Sequence, residues 1–187
     1  MGGKNSIIDR KNSYLRLRNM KAMAETNKPV KKPLARGTES VKKARVTYKV
    51  PDDIDPSVYH TLYENPISLL SSSKKGLDAK AALDFIHLSG FSPNEFQDTF
   101  KTTVKTIQNY YAGSLKLDAA LSEKLLKSFA LFEKGISVFG SAKAFQNWLN
   151  AASYGLGDQV PFDLMDTITG INLIEEELIR IEHGDLA

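Results

Sequence analysis

From residue 76 onward, apolar side chains recur every three or four residues almost without a break, the period of helices packed on one side. Ala81, Ala82, Phe85, Ile86 and Leu88 form a broad stripe over residues 78–89, which stops at Gly90. Ser92-Pro93 is a helix start, a capping hydroxyl with proline in the first turn, and the helix it opens carries Phe96 and Phe100. Thr102 or Thr103 caps a further helix holding Val104, Ile107, Tyr110 and Tyr111 and ending at Gly113. Residues 118–139 predict the longest helix, whose apolar positions, Leu121, Leu125, Ala130, Phe132 and Ile136 among them, suffice to bury more than one face. Gly140 ends it, and Ser141 opens another that carries Phe145, Trp148 and Leu149. After Gly170, the series Ile171, Ile174, Leu178 and Ile181 predicts a last amphipathic helix that stops near Gly184. No two-residue alternation follows residue 50, so the body reads as all-α.

The first 75 residues are patterned differently. Residues 5–23 have partial helical spacing, and residues 27–49 are rich in lysine and proline, too poor in apolar surface to offset the entropy of ordering. Residues 46–50 suit a short strand or an extended lead-in. Pro51 and Pro56 frame an acidic turn, a short helix follows from Ser57, and residues 71–76 read as a Ser/Lys/Gly loop. The charge follows the same division. Residues 1–50 carry 14 Lys+Arg against 3 Asp+Glu, a net of +11, and residues 51–187 carry 11 against 19, a net of −8. A basic arm on an acidic body suits a polyanionic partner. A solvated leader with no partner has the same composition.

Residues 91–113 have the length of a helix-turn-helix unit, whose second helix enters the major groove of DNA. In that helix Val104 and Ile107 would face the core. Thr103, Lys105, Thr106, Gln108 and Asn109 would supply the DNA contacts: lysine suits phosphate, and Gln or Asn pairs bidentately with adenine. Two positions depart from the usual pattern. Gln97 stands where a small residue permits close helix crossing, and Lys101 stands where the turn usually has glycine.

The C-terminal segment is more specific. Trp148-Leu149, Leu156-Gly157, Pro161, Leu164, Thr167, Gly170 and the ending Leu178-Ile179-Arg180-Ile181-Glu182-His183-Gly184 follow at set intervals. This resembles the toxin-binding domain of the Xre/MbcA/ParS antitoxin family, with Trp148, Gly157, Pro161, Leu164, Thr167 and Gly170 as its structural motif. Residues 76–139 resemble the same family's Xre-type helix-turn-helix region. The family's loop usually has two adjacent glycines before the proline, whereas this chain has Gly157-Asp158.

The resemblance implies an antitoxin of a type II toxin–antitoxin module, organised as a basic arm (1–50), a linker with a short helix (51–75), a helix-turn-helix and dimerisation region (76–140) and a toxin-binding domain (141–187). The implied partners are a RES-domain toxin that consumes NAD, operator DNA through which the chain represses its own operon, and a second copy of the chain. The last helix and tail would block the toxin's active site through Glu176, Arg180, His183, Gly184, Asp185, Leu186 and Ala187. The residues alone leave Glu175-Glu176-Glu177 open to two readings, a solvated helix face or an acidic complement to a basic pocket. Arg180 pairs most simply with Glu176 or Glu177. Trp148 reads as a core anchor before an interface residue. A stand-alone helix-turn-helix regulator without a toxin is the alternative.

Nothing in the sequence points to an enzyme, a cofactor or a metal. There is no H-x-x-x-H spacing, no Gly-rich phosphate loop after a strand and no serine nucleophile elbow. Asp163 and Asp166, expected three residues apart on one short helix, could in principle form a catalytic carboxylate pair, although carboxylates on a helix are usually only solvated. The absence of cysteine removes thiol chemistry and disulfides, and no apolar run is long enough to cross a membrane. These features together set the expectation of a cytoplasmic protein.

Overall fold

The structure is a computed structural model that describes residues 47–51 and 54–184. The helix expected over residues 5–23, nearly all of the basic arm, and Asp185, Leu186 and Ala187 lie outside the described residues. The described chain is helical, as the pattern predicts. A 3-10 helix (Pro56–Leu62) is followed by α1 (Pro66–Lys75), α2 (Ala79–Ser89), α3 (Pro93–Phe100), α4 (Val104–Ala112), α5 (Ala119–Phe139) and α6 (Ala142–Leu149). A 3-10 turn (Tyr154–Leu156), α7 (Pro161–Leu164) and α8 (Ile168–His183) complete it. Among the described residues no strand forms, and only two isolated bridges pair backbone, Asp78 with Lys116 and Ser153 with Gln159.

Most helix starts follow the sequence closely because a side chain caps them, the exceptions being α2 after Asp78 and α7 after Val160. Ser92 and Glu95 form a reciprocal capping box at α3, with Ser92 N donating to Glu95 Oε2 at 2.7 Å and Glu95 N to Ser92 Oγ at 3.3 Å. Thr103, Asp118, Ser141 and Thr167 cap α4, α5, α6 and α8, each side chain accepting from the backbone N–H three residues on. One expectation fails. Residues 71–76 are not a loop: residues 71–75 complete α1, and Gly76 ends it. Asn65 starts that helix by accepting from Ile67 N and Ser68 N at 3.0 and 2.9 Å, with Pro66 in the first turn. Ser73, buried on α5, returns its hydroxyl to Leu69 O at 2.7 Å. Packing of α1 on α5 outweighs the weak helix preference of three consecutive serines.

Helix α5 is the axis of the body and packs against the 3-10 helix, α1, α2, α3, α6 and α8. Its Leu125, Leu126, Phe129 and Phe132 are fully buried. Phe85 of α2 meets Phe129 and Phe132 edge-on, each at 5.2 Å between centroids, and Phe132 meets Phe145 of α6 at 5.0 Å. Gly135 lets that last ring lie on the α5 backbone, since a Cβ there would fall 2.4 Å from the Phe145 ring. Ile171, Ile174 and Leu178 of α8 are wholly buried and belong to the same core. The apolar stripe read from the sequence is therefore the face by which α8 is held.

Candidate functional site

Two outward helix faces stand on this core. The first belongs to α3 and α4, joined by Lys101, Thr102 and Thr103. Phe96, Phe100 and Ile107 bury the inner sides of both helices, with Val104 packed at the margin. Lys101 has φ 54 and ψ 28, the left-handed conformation that glycine adopts without steric cost, and its N–H closes α3 on Gln97 O at 2.8 Å. Glycine is thus absent from the turn, but the backbone shape it would supply is present. Gln97 is exposed and obstructs no helix crossing.

Opposite Ile107, Lys105, Gln108 and Asn109 are exposed on α4. Thr103 and Thr106, also expected at this face, are partly committed to the helix start. Thr103 Oγ1 accepts from Thr106 N at 3.1 Å and lies 2.9 Å from Thr106 Oγ1.

The second face is built by α8 and the loop before it. Glu175-Glu176-Glu177 is not a uniformly solvated run, because Glu177 is buried, 5% exposed. The loop preceding α7 lies over it. Ser153 Oγ donates to Glu177 Oε1 at 3.3 Å, and Gly155 passes so close that a Cβ there would meet Oε1 at 2.1 Å. Arg180 supplies the countercharge, with Nε donating to Glu177 Oε2 at 2.8 Å and a terminal nitrogen reaching Gly155 O at 3.3 Å. Of the two pairings open to Arg180 in the sequence, the structure selects Glu177. The guanidinium is therefore fixed on one edge while its side chain stays 45% exposed.

Leu173, Glu176, Arg180 and His183 recur at i, i+3, i+7 and i+10 on the side of α8 away from the core, and all four are exposed. Gly184, at φ 78, ends the helix beside them. Tyr154, 75% exposed, stands next to the Gly155 carbonyl that holds Arg180. Leu173 belongs to a stripe that the spacing of Glu176, Arg180 and His183 already implied. No sequence pattern marks Tyr154 or the burial of Glu177. Glu182 lies off the stripe and pairs with Lys134 of α5, whose hydrogen bond holds its carboxyl below the usual range.

The C-terminal motif residues have structural tasks. Trp148 is half-buried and stacks on Phe145 and Phe139 at 5.9 and 5.4 Å. Gly157 and Asp158 are consecutive left-handed residues, φ 69 and 60, so Asp158 adopts the conformation a second glycine would provide. Asp158 N and Gln159 O both bond to Ser153, closing the loop. Pro161 opens α7, Thr167 caps α8, and Gly170 lets α8 lie on the Leu164 carbonyl.

Asp163 and Asp166 do not share a helix: α7 ends at Leu164, and both side chains are exposed. His60 bonds to Glu133 at 3.0 Å, and His87 lies against the ring of Tyr48. Among the described residues no cluster of side chains suits a metal ion, and no helix is long and apolar enough to cross a membrane. The buried carboxylate of α2 is Asp84. It accepts from the hydroxyls of Tyr48 and Tyr59 and pairs with Lys80 at 2.6 Å. Burial, reinforced by Asp84, pushes both tyrosine hydroxyls well above their usual range.

Comparison with known families matches the two segments that carry these faces. Residues 68–128 match the antitoxin Xre-like helix-turn-helix domain, and residues 134–184 match the antitoxin Xre/MbcA/ParS C-terminal toxin-binding domain. The two segments, 61 and 51 residues, make up 112 of the 187. No curated protein matches the chain.

Proposed function

The chain belongs to the Xre/MbcA/ParS antitoxin family, and on that premise we propose that it neutralises a RES-type, NAD-consuming toxin by seating the outer stripe of α8 at the toxin's active-site cleft. The observation that carries this reading is the division of α8 into two faces. The inner face, Ile171, Ile174 and Leu178, is core and stays with the body. The outer face, Leu173, Glu176, Arg180 and His183, is exposed, Arg180 being held by Glu177 and Gly155, and Gly184 leads on to Asp185, Leu186 and Ala187. Arg180 is already oriented by Glu177, so little side-chain freedom is lost when a partner binds it. Leu173 and Tyr154 supply exposed apolar and aromatic surface of the kind that anchors interfaces. Glu176 complements a cleft that must be basic to hold the phosphates of NAD.

The helix-turn-helix supplies the second activity, repression of the chain's own operon as a dimer. Lys105 is placed for phosphate, and Gln108 and Asn109 for base edges. Paired half-sites on an operator require two copies of such a unit.

The test is growth rescue. The wild-type chain, co-expressed with the toxin from the adjacent reading frame, restores growth. A chain with Leu173→Asp and Glu176→Lys, both outside the core, keeps its melting temperature and loses rescue. Full rescue by that variant refutes the α8 interface. A wild-type chain that rescues from no adjacent toxin but still shifts operator DNA would instead be a stand-alone regulator.

A further inference from the structure

Helix α1 carries apolar side chains on two opposite sides. Leu69 and the buried Ser73 belong to the side that packs on α5. Ile67, Leu70, Ser71 and Lys74 recur at i, i+3, i+4 and i+7 on the other side, and all four are exposed. A helix that buries one face ordinarily presents polar residues on the opposite one. Here Ile67, 79% exposed, is the most exposed large apolar side chain among the described residues, and Leu70 is 51% exposed one turn away.

The two ends of the same helix carry opposite charges that find no countercharge in the body. Glu64 lies just before the Asn65 cap, and Lys74 and Lys75 form the last turn. Glu64 bonds to the side chains of Asn65 and Ser68, and no ion pair among the described residues includes Glu64, Lys74 or Lys75.

We propose that the exposed side of α1 is a self-pairing surface, on which a second copy of the chain docks its own α1 antiparallel across a two-fold axis. A two-fold contact requires one face to complement itself, and an end-for-end turn sets the acidic start of each α1 beside the basic end of the other. With the axis between Leu70 and Ser71, Leu70 packs against Ser71 of the other copy, where the small side chain leaves room. Ile67 then faces Lys74 of the other copy. The lysine's methylene stem covers the isoleucine, and its ammonium reaches Glu64 beyond it.

The surface lies just ahead of residues 76–140, where the family resemblance implies dimerisation. It is nevertheless joined to the reading helix. Lys116, in the segment leaving α4, donates from Nζ to Gly76 O at 3.2 Å, and Leu117 N donates to Leu77 O at 2.8 Å. Pairing through α1 therefore holds two reading helices in one particle, as paired half-sites require. This goes beyond the dimer named in the proposed function by giving it a surface, and the surface itself does not depend on DNA binding. Two turns of helix from each copy bury less than the roughly 1,200 Å² below which complexes are weak, so a dissociation constant in the micromolar range is expected.

The experiment is sedimentation velocity on the full chain, without toxin or DNA, from low micromolar to several hundred micromolar. Wild type is expected to pass from monomer to dimer across that range. Leu70→Glu sets two carboxylates near the axis and should raise the dissociation constant at least tenfold, with melting temperature and toxin affinity unchanged. Glu64→Lys and Lys74→Glu, each alone, should weaken the dimer several-fold, and the two together should restore it to within about twofold, because the exchanged charges again meet across the axis.

Wild type that stays monomeric at every concentration overturns the proposal together with the dimer reading. A wild-type dimer that Leu70→Glu leaves intact overturns the α1 surface alone and leaves the dimer to another face. Failure of the double charge exchange to restore what each single exchange loses overturns the antiparallel pairing. Loss of toxin binding in Leu70→Glu with the dimer unchanged assigns the surface to the toxin and overturns the proposal.

Discussion

Gly170→Ala sets helix propensity against packing. Gly170 lies in the first turn of α8, where alanine is favoured over glycine by about 1 kcal/mol on propensity alone. The structure predicts the opposite sign. A Cβ at Gly170 would sit 1.9 Å from Leu164 O and 2.7 Å from its carbonyl carbon, far inside van der Waals separation. The obstacle is backbone, so no side-chain rotation relieves it. Either α7 or the start of α8 has to move, and both are held by fully buried side chains, Met165 and Ile171. Overpacking of this kind costs about 1–3 kcal/mol. The same movement strains the Thr167 cap, whose hydroxyl accepts from Gly170 N at 3.0 Å and whose loss is worth about 1 kcal/mol. After the propensity gain is subtracted, a net destabilisation of about 2 kcal/mol remains. For a body of this size that lowers Tm by about 8 °C. Circular dichroism melts of the full-length variant read it directly. A Tm raised by a few degrees, as propensity alone gives, would refute the close approach of α8 to Leu164.

Three further outcomes follow from the same geometry. Lys101→Gly removes the strain of a left-handed lysine, about 1–2 kcal/mol, at an entropic cost of about 0.5–1 kcal/mol, so a rise in Tm of a few degrees is expected in thermal melts. Glu177→Ala removes charge-assisted bonds worth about 1.5–3 kcal/mol each. Because Arg180 is 45% exposed and regains water, the net loss should be about 2 kcal/mol in urea denaturation, together with weaker toxin binding as Arg180 loses its orientation. The His60 imidazole is pushed above its usual value, first by its hydrogen bond to Glu133 and then by that carboxylate's charge. Its stabilising contribution is therefore complete below the ordinary histidine range and disappears as pH rises through the raised value. Proton NMR titration should show the elevated midpoint, and Glu133→Gln should return it to the ordinary range.

The sequence carried the helical architecture because the signals were local and redundant. Capping residues such as Ser92, Thr103, Asp118 and Ser141 coincide with the starts of apolar stripes, and Gly90, Gly140 and Gly184 coincide with their ends. The second half of α1 was illegible because Ser71-Ser72-Ser73 has no helical preference of its own and is held by packing on α5. Asp84 and Glu177 look like ordinary helix-surface carboxylates in sequence. Their burial depends on segments far away in the chain, Tyr48 and Tyr59 for one and Ser153 to Gly155 for the other. Lys101 and Asp158 mislead in a different way. Each stands where glycine is usual, and each adopts the glycine-like backbone nonetheless. Residue identity there understates how closely the turns keep their shape.

In the proposed function the outer face of α8, with Tyr154 beside it, is the surface that holds the toxin. Isothermal titration of the purified toxin against full-length Tyr154→Ala, Leu173→Ala and Arg180→Ala tests it most directly, with Ile67→Ala and Leu70→Ala on the exposed side of α1 as comparators. At least one of the first three is expected to act as an interface hot spot, costing about 2 kcal/mol or more, roughly a thirtyfold loss of affinity, while both comparators bind as wild type. Wild-type affinity in all three α8-face variants, with loss at Ile67 or Leu70, would contradict the account.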